Sequence, residues 1–289
     1  MATADLHAPL APVISHYQAR PLLEARELGN REVLTSVTLG LTQVEGRVGE
    51  NGVQIAGGDL IPWAVVEEIA GTDSSCFVVE DGRARKIQFF SDMLNRAYTL
   101  YPTASAPTML ISGLPMHRIK GTDPRRDTLA KIKTIAPIGG NVLDTAMGLG
   151  YTAIEAARTA DAVTTIELDP TVVEVCRLNP WSQELLHNPR ITRQLGDAFD
   201  VVETLPDAAY QRVIHDPPMF GLAGHLYGEE FYHELFRVLT SRGRLFHYIG
   251  DLKSRSGAGV ARGVRQRLVA AGFKRVVDRS RAFGLVAYK

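Results

Sequence analysis

Apolar and polar positions keep two different rhythms along this chain. Over residues 33–41 they alternate, the period of a half-buried strand. Residues 43–48 and 53–55, parted by Glu50-Asn51-Gly52, predict a strand, a turn and a strand. Ile61-Pro62-Trp63 predicts the start of a helix over 64–69, and residues 76–80 and 85–90 predict a hairpin turning at Asp81-Gly82. Residues 15–28 carry a helical pattern broken at Pro21, while 91–120, with its prolines and small residues, reads as ordered loop.

The rhythm changes at Asp123-Pro124, an N-cap followed by proline at the first helical position, which predicts a helix to about residue 135. Short apolar runs at 141–145, 162–168, 191–195, 211–215 and 244–249 then alternate with helical patterns at 152–159, 170–178, 199–205, 228–239 and 260–271. Such alternation predicts a parallel sheet covered on both faces. The strands at 274–278 and 284–288 lie too close for a parallel crossover, so the last strand should run antiparallel. The expected fold is a doubly wound α/β domain over 123–289, with a seven-stranded, mostly parallel sheet. Before it come an N-terminal segment, 1–30, and a small strand-rich module with its connecting loop, 31–122.

Composition narrows this little. Of 289 residues, 45% are hydrophobic and 22% charged, with a formal net charge of zero, so no global field points to a nucleic-acid polymer. The cysteines, Cys76 and Cys176, sit far apart in apolar runs and predict buried free thiols. No apolar run approaches the roughly 20 residues of a membrane span, and no secretory leader is evident; a cytoplasmic protein is expected.

In a doubly wound sheet ligands bind at the carboxyl ends of the strands, and four candidate groups fall there. Asp144 to Gly150 is a loop in which Gly148 and Gly150 let backbone approach a ligand. Glu167 closes the next strand, where a carboxylate can accept from ribose hydroxyls. Gly196-Asp197-Ala198 follows the third strand, with Asp197 suited to an exocyclic amine of adenine. His215-Asp216-Pro217-Pro218-Met219-Phe220 follows the fourth, its backbone stiffened by two prolines.

This ordered set resembles the class I S-adenosylmethionine-dependent methyltransferases over residues 123–289. The resemblance implies that Asp144, Gly148 and Gly150 surround the methionine part of S-adenosylmethionine. It assigns the ribose to Glu167 and adenine to Asp197 and Ala198. Asp216-Pro217-Pro218 resembles the (D/N)PP(Y/F) motif of amino-group methyltransferases. The longer runs 214–220 and 226–232 are similar to a group of predicted methyltransferases common in archaea. The expectation is methyl transfer to an amino nitrogen, with Asp216 orienting or deprotonating the amine and Pro217, Pro218, Met219, Phe220 and Tyr227 shaping the acceptor pocket. Met219 stands where base-methylating enzymes carry a stacking ring. A small-molecule amine is therefore the favoured acceptor, ahead of RNA or protein, and a homodimer is the expected assembly.

His215 and His247 close neighbouring strands and are candidate bases; no histidine spacing suits a metal, and none is expected. Arg118, after Met116-His117, is a candidate for the donor carboxylate. Lys253, Arg255 and Ser256 read as a Gly/Ser-rich loop able to meet an anion, and seven basic residues from Arg262 to Arg281 as a basic face. The main rival is aminopropyl transfer, because 216–232 and the strand-rich N-terminal module also resemble the spermidine synthases. Their glycine loop resembles G-G-G-D-G, and here Leu149 replaces the aspartate, which favours a donor that keeps its carboxylate. Aminocarboxypropyl transfer, a nicotinamide dehydrogenase (with Ala153 at the third glycine of its motif) and a non-catalytic binding domain complete the alternatives.

Overall fold

The computed structural model describes residues 11–58, 60–218, 220–221 and 223–289. Met219, one of the acceptor-pocket candidates, lies outside the described residues. The chain forms two units, one of Met1–Pro124 with Val173–Gln183, the other of Arg125–Val172 with Glu184–Lys289.

In the first unit, the helix His16–Glu27 runs unbroken through Pro21. Ser15 caps it, and Gln18 reaches back to the Ser15 amide at 3.0 Å, closing a capping box. The buried stripe Ala19, Leu22 and Ala25 adds packing that outweighs the one backbone bond proline forfeits. Three antiparallel sheets follow: Glu32–Thr35, Val44–Val48, Gly52–Ile55 and Leu60–Pro62; Val13–Ile14, Phe77–Glu80 and Arg83–Lys86; and Gln88–Ser91, Arg96–Tyr101, Thr108–Ile111 and Leu114–Pro115. The first two share a core of Ile14, Ile61, Trp63, Ile69 and Phe77 with the helix Trp63–Ala70.

The third sheet corrects the expectation of loop over 91–120. Thr108–Ile111 pairs antiparallel with Arg96–Tyr101, Thr108 opposite Tyr101 and Ile111 opposite Tyr98. Tyr98, Leu100 and Met109 are buried by it. Pro102 and Pro107 fall between the two strands, where they remove no ladder bond.

The second unit is built on seven strands: β1 Asn141–Asp144, β2 Ala162–Glu167, β3 Ile191–Leu195, β4 Tyr210–His215, β5 Leu239–Tyr248, β6 Arg275–Arg279 and β7 Gly284–Tyr288. Their order in the sheet is β3-β2-β1-β4-β5-β7-β6. The first five run parallel, and β7 is antiparallel to both β5 and β6, as the short β6–β7 connection requires. Val142, Leu143, Val213, Ile214, Leu245 and Phe246 are buried along the central strands. The helix Glu229–Val238 sets Phe231, Leu235 and Val238, spaced at i, i+4 and i+7, into the core. Strand order reverses between β1 and β4, so their carboxyl ends form the switch point where this architecture binds ligands.

One loop shrinks relative to the sequence reading. Ser254 accepts the Gly257 amide at 3.0 Å and starts a helix, Arg255–Ala270, so Arg255 and Ser256 are helical and only Lys253 remains in the loop. Among the described residues no helix is long and apolar enough to cross a membrane. Both cysteines are buried and unpaired with each other.

Candidate active site

The glycine loop leaves β1 at Asp144 and is fixed from both neighbouring strands. The Thr145 amide donates to Ile214 at 3.0 Å, and the Met147 amide donates to Ile166 at 2.7 Å. Gly148 (φ +51°) and Gly150 (φ +77°) take the left-handed backbone that only glycine adopts cheaply, and Gly150 opens the helix Tyr151–Ala157. Asp144 is fully buried and accepts the Thr152 and Thr165 hydroxyls, each at 3.0 Å. Burial drives its carboxyl up to about 7, against the pull of Thr152 and Thr165; the negative charge of Asp216 adds to the rise.

Glu167 closes β2 and is half-buried. It accepts the Gly148 amide and the Asp169 amide, each at 3.0 Å, which ties the second acid directly to the glycine loop. Burial raises its carboxyl to about 7, with the amides of Asp169 and Gly148 opposing. Asp197 caps the helix Ala198–Thr204 through the Phe199 amide at 2.8 Å and meets His225 Nε2 at 3.0 Å. His225 thus already contacts the group assigned to adenine. Ala198 is buried at the head of that helix.

Asp216 follows β4, and its surroundings were not legible beforehand. Lys131 Nζ lies 2.6 Å from Asp216 Oδ2 and 2.7 Å from Asp127 Oδ2. The same ammonium stands 4.7 Å from the ring centre of Tyr248, the last residue of β5. Burial alone would lower the Lys131 pKa; the Asp216 and Asp127 charges outweigh it and hold the ammonium well above its ordinary range. In the helix Pro124–Thr134, Asp127 and Lys131, four apart, are buried, whereas Leu129 on the other side is exposed. A helix that turns its charges inward and its leucine outward has a polar site to serve.

The structure buries His215 and His247, the candidate bases, away from solvent. They lie side by side in register on β4 and β5, both fully buried, with ring centres 4.3 Å apart. His215 Nε2 donates to the Leu226 carbonyl at 3.0 Å, which leaves Nδ1 to accept the Thr145 hydroxyl at 2.7 Å. Burial lowers its pKa to about 3, so the ring is neutral with both nitrogens committed. His247 contacts the Tyr232 hydroxyl at 2.9 Å, and burial, then His215, hold its pKa well below the ordinary value. Both rings pack against Tyr227 and against each other in the core.

Around Asp216, Pro217 is buried and Pro218 exposed. The Tyr227 hydroxyl donates to the Pro218 carbonyl at 3.1 Å, and Phe220, half-exposed, meets the Tyr227 ring edge-on at 5.4 Å. Burial, then the Asp216 charge, raises the Tyr227 pKa, so this phenol stays protonated. Arg118 belongs to the first unit. Among the described residues no three metal-ligating side chains converge.

The raised carboxyl of Asp144 has a consequence for stability. A group that binds its proton more tightly in the folded chain contributes stability that is present below the unfolded value of 3.8 and lost as pH rises through about 7. Wild type should therefore lose more stability than Asp144→Asn between pH 5 and pH 8, by about 2–3 kcal/mol. Urea unfolding at the two pH values reads this directly; parallel losses would mean that Asp144 is ionised throughout.

The strand order, glycine loop and carboxyl-end acids define a Rossmann-like fold of the methyltransferase type. The family model described as the spermine/spermidine synthase domain matches residues 108–250. The uncharacterized protein MJ1233 of Methanocaldococcus jannaschii is 45% identical over 231 residues, covering 79% of this chain and 78% of that one; the chain belongs to its family. Polyamine aminopropyltransferase 2 of Streptomyces coelicolor is 32% identical over 152 residues, 49% of this chain and 27% of that protein. A solved spermidine synthase in complex with the transition-state analogue AdoDATO superposes with a TM-score of 0.57 at 16% identity, over 70% of this chain and 71% of the other. Spermidine synthase from Thermotoga maritima gives 0.54 at 15% identity, over 73% and 77%.

The expectation of methyl transfer is overturned by these findings, which favour the aminopropyl-transfer alternative. Leu149, which stands where the spermidine synthases carry an aspartate, does not count against that alternative. Its side chain is fully buried, so it meets no ligand and says nothing about whether a donor keeps its carboxylate.

Proposed function

We propose that the chain transfers an aminopropyl group from decarboxylated S-adenosylmethionine to an amine. The observation that carries the reading is the spermine/spermidine synthase match, which spans the glycine loop, Glu167, Asp197 and Asp216. In this reading the glycine loop lies along the donor, Glu167 accepts its ribose hydroxyls, and Asp197 and Ala198 meet its adenine after His225 moves aside. Asp216 stands at the aminopropyl end, while Asp144, fully buried, fixes the start of the loop through Thr152 and Thr165. The named side chains at the switch point are five acids (Asp127, Asp144, Glu167, Asp197 and Asp216) against the one ammonium of Lys131. Burial holds Asp144 and Glu167 protonated up to about pH 7, so the excess charge rests on the other acids; it would repel a donor carboxylate and attract a donor ammonium in a poorly solvated site.

The chemistry asks for positioning above all. The acceptor nitrogen attacks the propyl carbon bonded to sulfur. A carbon–nitrogen bond forms, the carbon–sulfur bond breaks, its electron pair stays on sulfur, and methylthioadenosine leaves. Asp216 aligns the nitrogen lone pair by accepting an N–H bond from the amine, and the extra proton departs from the new ammonium to solvent. Pro217 and Pro218 hold the Asp216 backbone extended, and the Tyr227–Pro218 bond pins the turn that follows.

Isothermal titration with the two donors tests the reading. Decarboxylated S-adenosylmethionine should bind at least about tenfold more tightly than the intact form, a difference of about 1.4 kcal/mol. Tighter binding of the intact form would overturn it in favour of a carboxylated donor.

A further inference from the structure

The cluster of Asp127, Lys131 and Asp216 buries more charge than the proposed transfer needs. Lys131 is 2% exposed and Asp127 is not exposed at all. Burying such a pair carries a desolvation cost that its own attraction often fails to recover, and apolar replacements of similar volume are frequently as stable. Packing therefore gives no reason for the arrangement. Its geometry does: the ammonium is anchored to a rigid helix by Asp127, four residues before it, and reaches across to the first residue after β4.

We propose that Lys131 is the positioning residue for Asp216, holding it as a carboxylate in one fixed orientation so that it meets the reacting nitrogen as a hydrogen-bond acceptor and not as a proton sink. The role toward the nitrogen rests on the aminopropyl-transfer reading; the hold on the Asp216 proton does not. A carboxylate oxygen 2.6 Å from a buried ammonium cannot swing to follow substrate, and its affinity for a proton falls. Among the described residues, the groups that face the pair include Asp144 at the end of β1, Tyr227 from the turn Gly224–Tyr227 and Tyr248 at the end of β5. Asp144 is an acid and burial holds Tyr227 as a phenol, so Lys131 is the cation among these groups that favours the ionised form of Asp216. A consequence follows for the acceptor. Asp216 already satisfies one ammonium from the protein itself, so the acceptor should react through a nitrogen that arrives neutral.

Replacing Lys131 alone strands Asp127 in the core, so the test uses Asp127→Asn with Lys131→Gln. The pair leaves net charge unchanged and keeps a hydrogen-bonding side chain at each position. The full chain is labelled with carbon-13 at aspartate carboxyls, and the Asp216 signal is assigned by its loss in Asp216→Asn. In wild type that signal should stay at its carboxylate position down to acid pH. In the double variant its titration midpoint should rise by at least about one pH unit, a tenfold gain in proton affinity. Lys131→Arg should keep the wild-type titration. The pH profile of kcat/KM, with decarboxylated S-adenosylmethionine and 1,4-diaminobutane as probes, should gain a matching acidic limb in the double variant while donor affinity holds. Identical Asp216 titrations in wild type and double variant overturn the inference. A wild type that binds donor and transfers nothing to any amine overturns the function instead, and the carboxyl titration still decides the role of Lys131.

Discussion

Asp216→Asn is expected to lower kcat about a thousandfold while donor affinity changes by less than about threefold, the size of loss typical when a positioned acid–base or orienting group is removed. The substitution keeps shape but converts one acceptor oxygen into a donor, which turns the amine nitrogen away from the line of attack. It also frees Lys131 from one partner and leaves Asp127 to hold it at 2.7 Å, so the fold should survive. The donor contacts assigned here to the glycine loop, Glu167 and Asp197 lie on other strands and are untouched. Single-turnover kinetics beside titration of the donor separate the two quantities. A variant that loses donor affinity and rate together would place Asp216 among the donor's ligands.

The second large effect concerns the fold under the site. Gly150→Ala is expected to destabilise the chain by about 3 kcal/mol, combining a left-handed backbone and an overpacked contact. At φ +77° a side chain is strained whatever the space, and an added Cβ would stand 2.5 Å from Leu185 Cδ2. Leu185 is 1% exposed, so its methyl groups have nowhere to retreat. Urea unfolding measures the loss. A change under 1 kcal/mol would mean that the loop relaxes freely, and the fixed geometry attributed to it would fall.

The doubly wound sheet was legible because its determinants are local. Each of the first five strands is a short apolar run followed by a helical period, and the spacing of the last pair forces β7 to run antiparallel. The acids after β1, β2, β3 and β4 were legible for the same reason, since strand ends can be read off the pattern. What failed was anything that depends on where a side chain points. Leu149 sits beside two glycines in a ligand loop, yet its side chain faces the core. His215 and His247 occupy strand ends, where chemistry is expected, but the strand alternation turns both inward. Lys131 is the reverse case: an ordinary lysine on an ordinary helix that becomes central only when Asp216, 85 residues later, is brought against it. Prolines misled twice: at Pro21 the packing of the helix outweighed one missing donor, and across 91–120 Pro102 and Pro107 fall between strands, where no donor is needed.

The central claim is the identity of the transferred group, and product analysis reads it most directly. The purified chain is incubated with decarboxylated S-adenosylmethionine and a panel of aliphatic amines, and with intact S-adenosylmethionine in parallel, and the products are analysed by mass spectrometry. The account predicts that an amine gains one aminopropyl group, three carbons and one nitrogen, with an equal amount of methylthioadenosine released, and only from the decarboxylated donor. Methylated amine formed from the intact donor, with no aminopropyl product from the other, would contradict it.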